Sequence, residues 1–142
     1  MRVVEGGDAP SGLGRVRRLL EEGLRNPPPE ALAAVSEGRV YLLDERLDLW
    51  LVRGEHGDYI VVRGLYCSCP WFTTRVLSGN AEKLCYHLIA VELAARGIGR
   101  YKRAPGGIIK DVVLEALLDG FTRTLRLVEL RSTGGFSRDR RA

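Results

Sequence analysis

All three cysteines of this chain and one of its two histidines fall between residues 67 and 87. They form two pairs, Cys67-Ser68-Cys69 and Cys85-Tyr86-His87, with fifteen residues between them. Three thiolates and one imidazole are a donor set that Zn²⁺ takes in closed, tetrahedral structural sites. The spacing fits. On an extended backbone, residues i and i+2 point the same way, so Cys67 and Cys69 can face one ion. Within a regular helix, i and i+2 lie roughly 200° apart. Cys85 and His87 must therefore straddle a helix start, with Cys85 in the turn and His87 in the first turn. Leu84, Leu88, Val91 and Ala95 continue with helical period. A helix N-terminus also suits the single net negative charge of such a centre.

Other uses of these cysteines fit less well. A disulfide framework would leave one cysteine over, and Cys67 and Cys69 are too close in sequence to bridge comfortably. A Cys/His nucleophilic pair needs a free thiol beside a base, whereas both types are engaged here. A catalytic zinc keeps one coordination position open, and four ligands are supplied. The expected cofactor is one structural Zn²⁺ held by Cys67, Cys69, Cys85 and His87.

This pattern resembles the SWIM zinc finger, in which Cys-x-Cys, a variable spacer and Cys-x-His supply the ligands. The resemblance spans residues 59–95, about a quarter of the chain, and includes the aromatic step Pro70-Trp71-Phe72 and a hydrophobic helix after His87. Ala90 matches the His-x-x-Ala extension of the Shu-complex branch, whose members are accessory factors of homologous recombination. That branch implies a partner, a RecA-family recombinase or paralogue, and a setting, DNA repair. SWIM fingers of other types imply a DNA-binding regulator of transcriptional or mobile-element kind, and a pure protein-interaction module is the other alternative.

Hydrophobic content of 45% in 142 residues suits one folded domain with tails. No run is long enough to span a membrane, and the N-terminus lacks the apolar core of a signal peptide. Cysteines used for metal fit a reducing interior, so a cytoplasmic location is expected, nuclear in a eukaryote. Net charge is +4 and unevenly placed. Residues 96–110 hold five basic side chains and no acid, and residues 131–142 hold four arginines against Asp139. Segregated positive charge is what a nucleic-acid surface requires. The DNA-contact candidates are Arg75, Arg96, Arg100, Tyr101, Lys102, Arg103 and Lys110, with Tyr101 placed to stack on a base. There is no phosphate-binding glycine loop and no clustered acid pair, so neither an enzyme nor a small-molecule substrate is expected.

The fold expected is α+β: a small antiparallel sheet whose zinc site is closed by a helix, flanked by N- and C-terminal helices. Residues 1–38 read as a helical segment, with Ser11 capping a helix to about Leu24 and a second from Pro28 to Glu37 that buries Ala31, Leu32 and Val35. Residues 39–98 hold three strands (39–43, 47–53 and 59–63), a loop from Thr73 to Lys83, and the zinc helix. In the second strand Leu47, Leu49 and Leu51 share a face. His56 lies in an exposed turn. Residues 99–130 hold a flexible basic loop, an amphipathic helix over 108–118, and a further strand over 121–130. Val112, Val113, Ala116 and Leu117 on that helix are the candidate protein-docking residues. The basic tail, 131–142, is expected to be disordered alone.

Overall fold

The computed structural model describes residues 12–131 and the backbone of 138–140. Helices α1 (Gly12–Arg25) and α2 (Pro29–Ser36) lead into a meander of β1 (Val40–Asp44), β2 (Leu49–Arg53), β3 (Asp58–Val62) and the two-residue β4 (Tyr66–Cys67). A π-helical turn (Phe72–Val76), α3 (Tyr86–Ala95) and β5 (Arg100–Arg103) follow. A short 3₁₀ turn then enters α4 (Ile109–Asp119), followed by α5 (Arg123–Arg131) and β6 (Arg138–Arg140). The expected α+β class, with helices at both ends and one closing the cysteine site, is what the chain forms.

The sheet order is β4-β3-β2-β1-β5-β6. Consecutive strands from β1 to β4 pair antiparallel. β5 pairs parallel to β1, with Tyr41 opposite Lys102. Alternation along the strands sends residues to two separate cores. Val40, Leu42, Trp50, Val52 and Val61 pack toward α1, α2 and α3. Tyr41, Leu43, Leu51 and Ile60 pack with Val112 and Ala116 of α4 and Leu125 of α5. The molecule therefore has three layers, with the sheet covered on both faces, as its nearly unbroken apolar strands demand.

Several sequence expectations are corrected here. Residues 100–103 are a strand, because Tyr101 packs edge-on against Trp50 at 5.0 Å while the backbone pairs with β1. Residues 123–131 are a helix, because Leu125 and the polar Arg126 and Glu129 all turn toward the sheet. Residues 73–76 of the expected loop are helical, as part of the turn Phe72–Val76. Leu47 lies in a turn, 66% exposed, and only Leu49 and Leu51 belong to the outer core. In α2 the buried residues are Ala31, Ala34 and Val35, and Leu32 is exposed. Within the expected disordered tail, residues 138–140 pair with β5. Arg131, first of that tail, ends α5, while the Ser11 cap and residues 132–137 and 141–142 lie outside the described residues.

Polar pegs fix α5 to the sheet. Asp58, fully buried at the start of β3, accepts hydrogen bonds from the Thr122 amide (2.8 Å), the Thr122 hydroxyl (2.7 Å) and the Arg126 guanidinium. Glu129 accepts from the Tyr41 hydroxyl at 2.6 Å, from Lys102 at 3.0 Å and from Arg53. On the other face, buried Glu92 of α3 takes two hydrogen bonds from Arg63 and one from Arg96. In all three acids burial alone would raise the carboxyl pKa, but these donors outweigh it and hold the group below its ordinary value.

Candidate metal centre

Three elements converge to build the centre. Cys67 ends β4, where its pairing with Val61 fixes the direction of its side chain. Ser68 turns the other way: its hydroxyl accepts from the Ile60 amide at 2.9 Å and its own amide donates to the Ile60 carbonyl. Cys69 opens the turn into Pro70 and the π-helical segment. Its sulfur accepts from the Phe72 amide at 3.4 Å, and the Thr73 amide and hydroxyl bond its carbonyl. Cys85 is the N-cap residue of α3 in extended conformation, and His87 lies in the first turn. That is the straddled helix start which the Cys-x-His spacing requires.

One donor atom from each of Cys67, Cys69, Cys85 and His87 lies within 4.8 Å of the others, and all four residues are buried. Bond lengths of about 2.0 to 2.3 Å set tetrahedral donors about 3.5 to 3.8 Å apart, so a small contraction closes this cluster on one ion. His87 supplies an independent test of fit. Its Nδ1 is buried without a hydrogen-bond partner, and its Nε2 lies beside Gly54, where an added Cβ would come within 3.0 Å. An orphaned imidazole nitrogen among three sulfurs is costly unless something binds it. The four residues could hold a single metal ion.

The thiols cannot all behave alike in so small a space. Hydrogen bonds from Cys67 and Cys85 lower the pKa of Cys69. Burial, with Cys69 as hydrogen-bond partner, raises that of Cys67. For Cys85 the Cys67 contact pulls downward, but Cys69 and burial prevail and push it up to about 12. A bound cation would bring all three down together, since coordination requires thiolates.

Around the donors, the rings of Tyr86 and Tyr59 stand 4.1 and 4.7 Å from the His87 ring. Phe72 is fully buried beneath Tyr66. Trp71 is half-buried; its indole N–H donates to the Lys83 carbonyl at 2.9 Å and so ties the two ends of the spacer together. The sequence did not single out Tyr59, Tyr86 or Gly54. Tyr59 and Gly54 sit in the hairpin before the motif, and no spacing rule links them to His87.

The DNA-contact candidates differ in their surroundings. Tyr101 is 3% exposed and presents no ring for stacking, which corrects the base-stacking expectation. Lys102 is paired with Glu129, Arg103 with Glu45 and Arg96 with Glu92. Arg75 is exposed and lies over the Trp71 ring at 4.8 Å. Arg100 and Lys110 are exposed. Of the protein-docking candidates, Val112 and Ala116 belong to the core and Val113 is half-buried against it, which removes them as an open patch. Leu117 is 51% exposed. His56 is exposed, as expected.

No protein-family model, curated protein or solved structure matches the chain. No helix among the described residues is long and apolar enough to cross a membrane.

Proposed function

We propose that the chain is a zinc-stabilised binding module of the SWIM type, working without catalysis as an adaptor. Its partner is the one its resemblance implies, a RecA-family recombinase or paralogue acting in homologous recombination. The observation that carries this reading is the buried, four-donor Cys₃His cluster. Four protein donors leave no position for substrate, so the ion's part is structural. The module then acts through its surface.

Protein contact is favoured over DNA contact by the fate of the basic stretch. Lys102, Arg103 and Arg96 already have carboxylate partners, and Tyr101 is inside. A DNA-facing role is the second reading, and exposed Arg75, Arg100 and Lys110 are what support it. The two separate in one experiment. Fluorescence anisotropy of zinc-loaded protein on single- and double-stranded DNA, across a salt series, should give weak binding for an adaptor. Co-purification with recombinase paralogues should then succeed. Tight binding that falls steeply with salt, and weakens on charge reversal at Arg75, Arg100 and Lys110, would replace the adaptor reading with the DNA one.

A further inference from the structure

The hairpin between β2 and β3 holds two glycines, Gly54 and Gly57, and neither has a left-handed φ. Backbone freedom is therefore not what calls for glycine here. Space is. A Cβ on Gly57 would lie 3.0 Å from the Tyr59 hydroxyl and 3.1 Å from the Gly120 carbonyl oxygen. A Cβ on Gly54 would meet the Gly57 carbonyl oxygen and His87 Nε2, both at 3.0 Å, and the Tyr86 hydroxyl at 3.2 Å. The hairpin thus closes directly on the outward nitrogen of one candidate metal donor. The other nitrogen, Nδ1, is buried without a hydrogen-bond partner. The rings of Tyr86 and Tyr59, 4.1 and 4.7 Å from the imidazole, hold its plane.

We propose that His87 binds the metal through Nδ1, and that the hairpin at Gly54 is the support that selects this nitrogen. A neutral imidazole has one proton for two nitrogens, so the ligating one is bare and the other carries it. Oxygens gather where Nε2 lies: the Gly57 carbonyl and the Tyr86 hydroxyl surround the same spot beside Gly54. Metal-bound histidines are held in one tautomer and one orientation by what receives their second N–H. The reverse arrangement, with Nε2 on the ion, would bury an N–H at Nδ1 with nothing to accept it. Gly54 touches no metal. It is a positioning residue, and it acts by leaving room for the imidazole.

This inference rests on the metal reading of the site, and its test uses the full chain loaded with zinc. The first measurement is long-range ¹H–¹⁵N correlation NMR, which tells a metal-bound Nδ1 from a metal-bound Nε2. The chain has two histidines, and His56 lies in the exposed part of the hairpin, so each ring's signals are readily assigned. The expected pattern is metal on Nδ1 and the proton on Nε2. The second is zinc affinity, by competition with a chromophoric chelator. Gly54→Ala should lower it about 10- to 100-fold. Added to His87→Cys, which keeps a fourth ligand without an imidazole, the same change should have less than about a twofold effect. Metal on Nε2 overturns the proposal. So does a Gly54→Ala loss equally large in both backgrounds, since the glycine would then act on the fold and not through His87. A chain that takes up no zinc overturns the metal reading itself, and this inference with it.

Discussion

At the scale of single residues, the chain's tolerance is set where backbone or charge has no alternative. Gly99 precedes β5 with φ of +84°, and a Cβ there would lie 2.7 Å from the Cβ of Val35. Left-handed strain and a clash with a buried neighbour act together, so Gly99→Ala should cost about 1–3 kcal/mol in denaturant unfolding. Asp58 is a different case. Replacing it by alanine leaves Arg126 and two Thr122 donors without their acceptor, and the expected cost is about 3 kcal/mol. A loss below 0.5 kcal/mol, the range of ordinary surface substitutions, would show that the peg does not hold α5. The four metal donors were legible from sequence because their chemistry is rare and their spacing has geometric meaning. Tyr59, Tyr86 and Gly54 were not, since what brings them to His87 is a hairpin folding over a helix.

At the scale of elements, legibility followed how far an element's residues agree with their own periodicity. α1, α2, α3 and α4 show apolar stripes or clear stops, and each appears within a residue or two of expectation. α5 reads as a strand from the alternation of Leu125 and Leu127. Its true inward face is Leu125, Arg126, Val128 and Glu129, half of it charged. Buried ion pairs erase the hydrophobic signature of a helix. β5 was hidden the same way: in Arg100-Tyr101-Lys102-Arg103 only Tyr101 is apolar, and its partner strand lies some sixty residues earlier. Long-range pairing leaves no local trace. Basic composition therefore suggested a nucleic-acid loop where the chain uses lysine and arginine to bind its own acids.

At the scale of the whole molecule, the sheet divides two cores, and carboxylates knit both to it. Asp58 and Glu129 join α5 to the outer face, and Glu92 joins α3 to Arg63 at the end of β3. Each folded pKa is depressed, so each group's contribution is present above the unfolded carboxylate value of about 4 and is lost as pH falls through the lower folded value. Thermal stability should be nearly flat from neutral pH down to about 5, then fall steeply below 4. A melting temperature that stays level to pH 3 would contradict this arrangement. The inner core contains the candidate metal site. Cys67, Cys69 and Cys85 are part of it, beside Phe72, Leu88 and Val91, and His87 lies among the thiols with a buried nitrogen unpartnered. Structural zinc supplies ~10 kcal/mol or more in small domains, comparable with the entire ~5–15 kcal/mol stability of a folded protein.

The most direct measurement is metal content per chain, by mass spectrometry of the protein purified under reducing conditions, paired with thermal unfolding before and after chelation and for Cys85→Ser. The account predicts one zinc per chain, a single cooperative transition with it, and loss of that transition on chelation or in the variant. A chain that binds no metal and still melts cooperatively would contradict it.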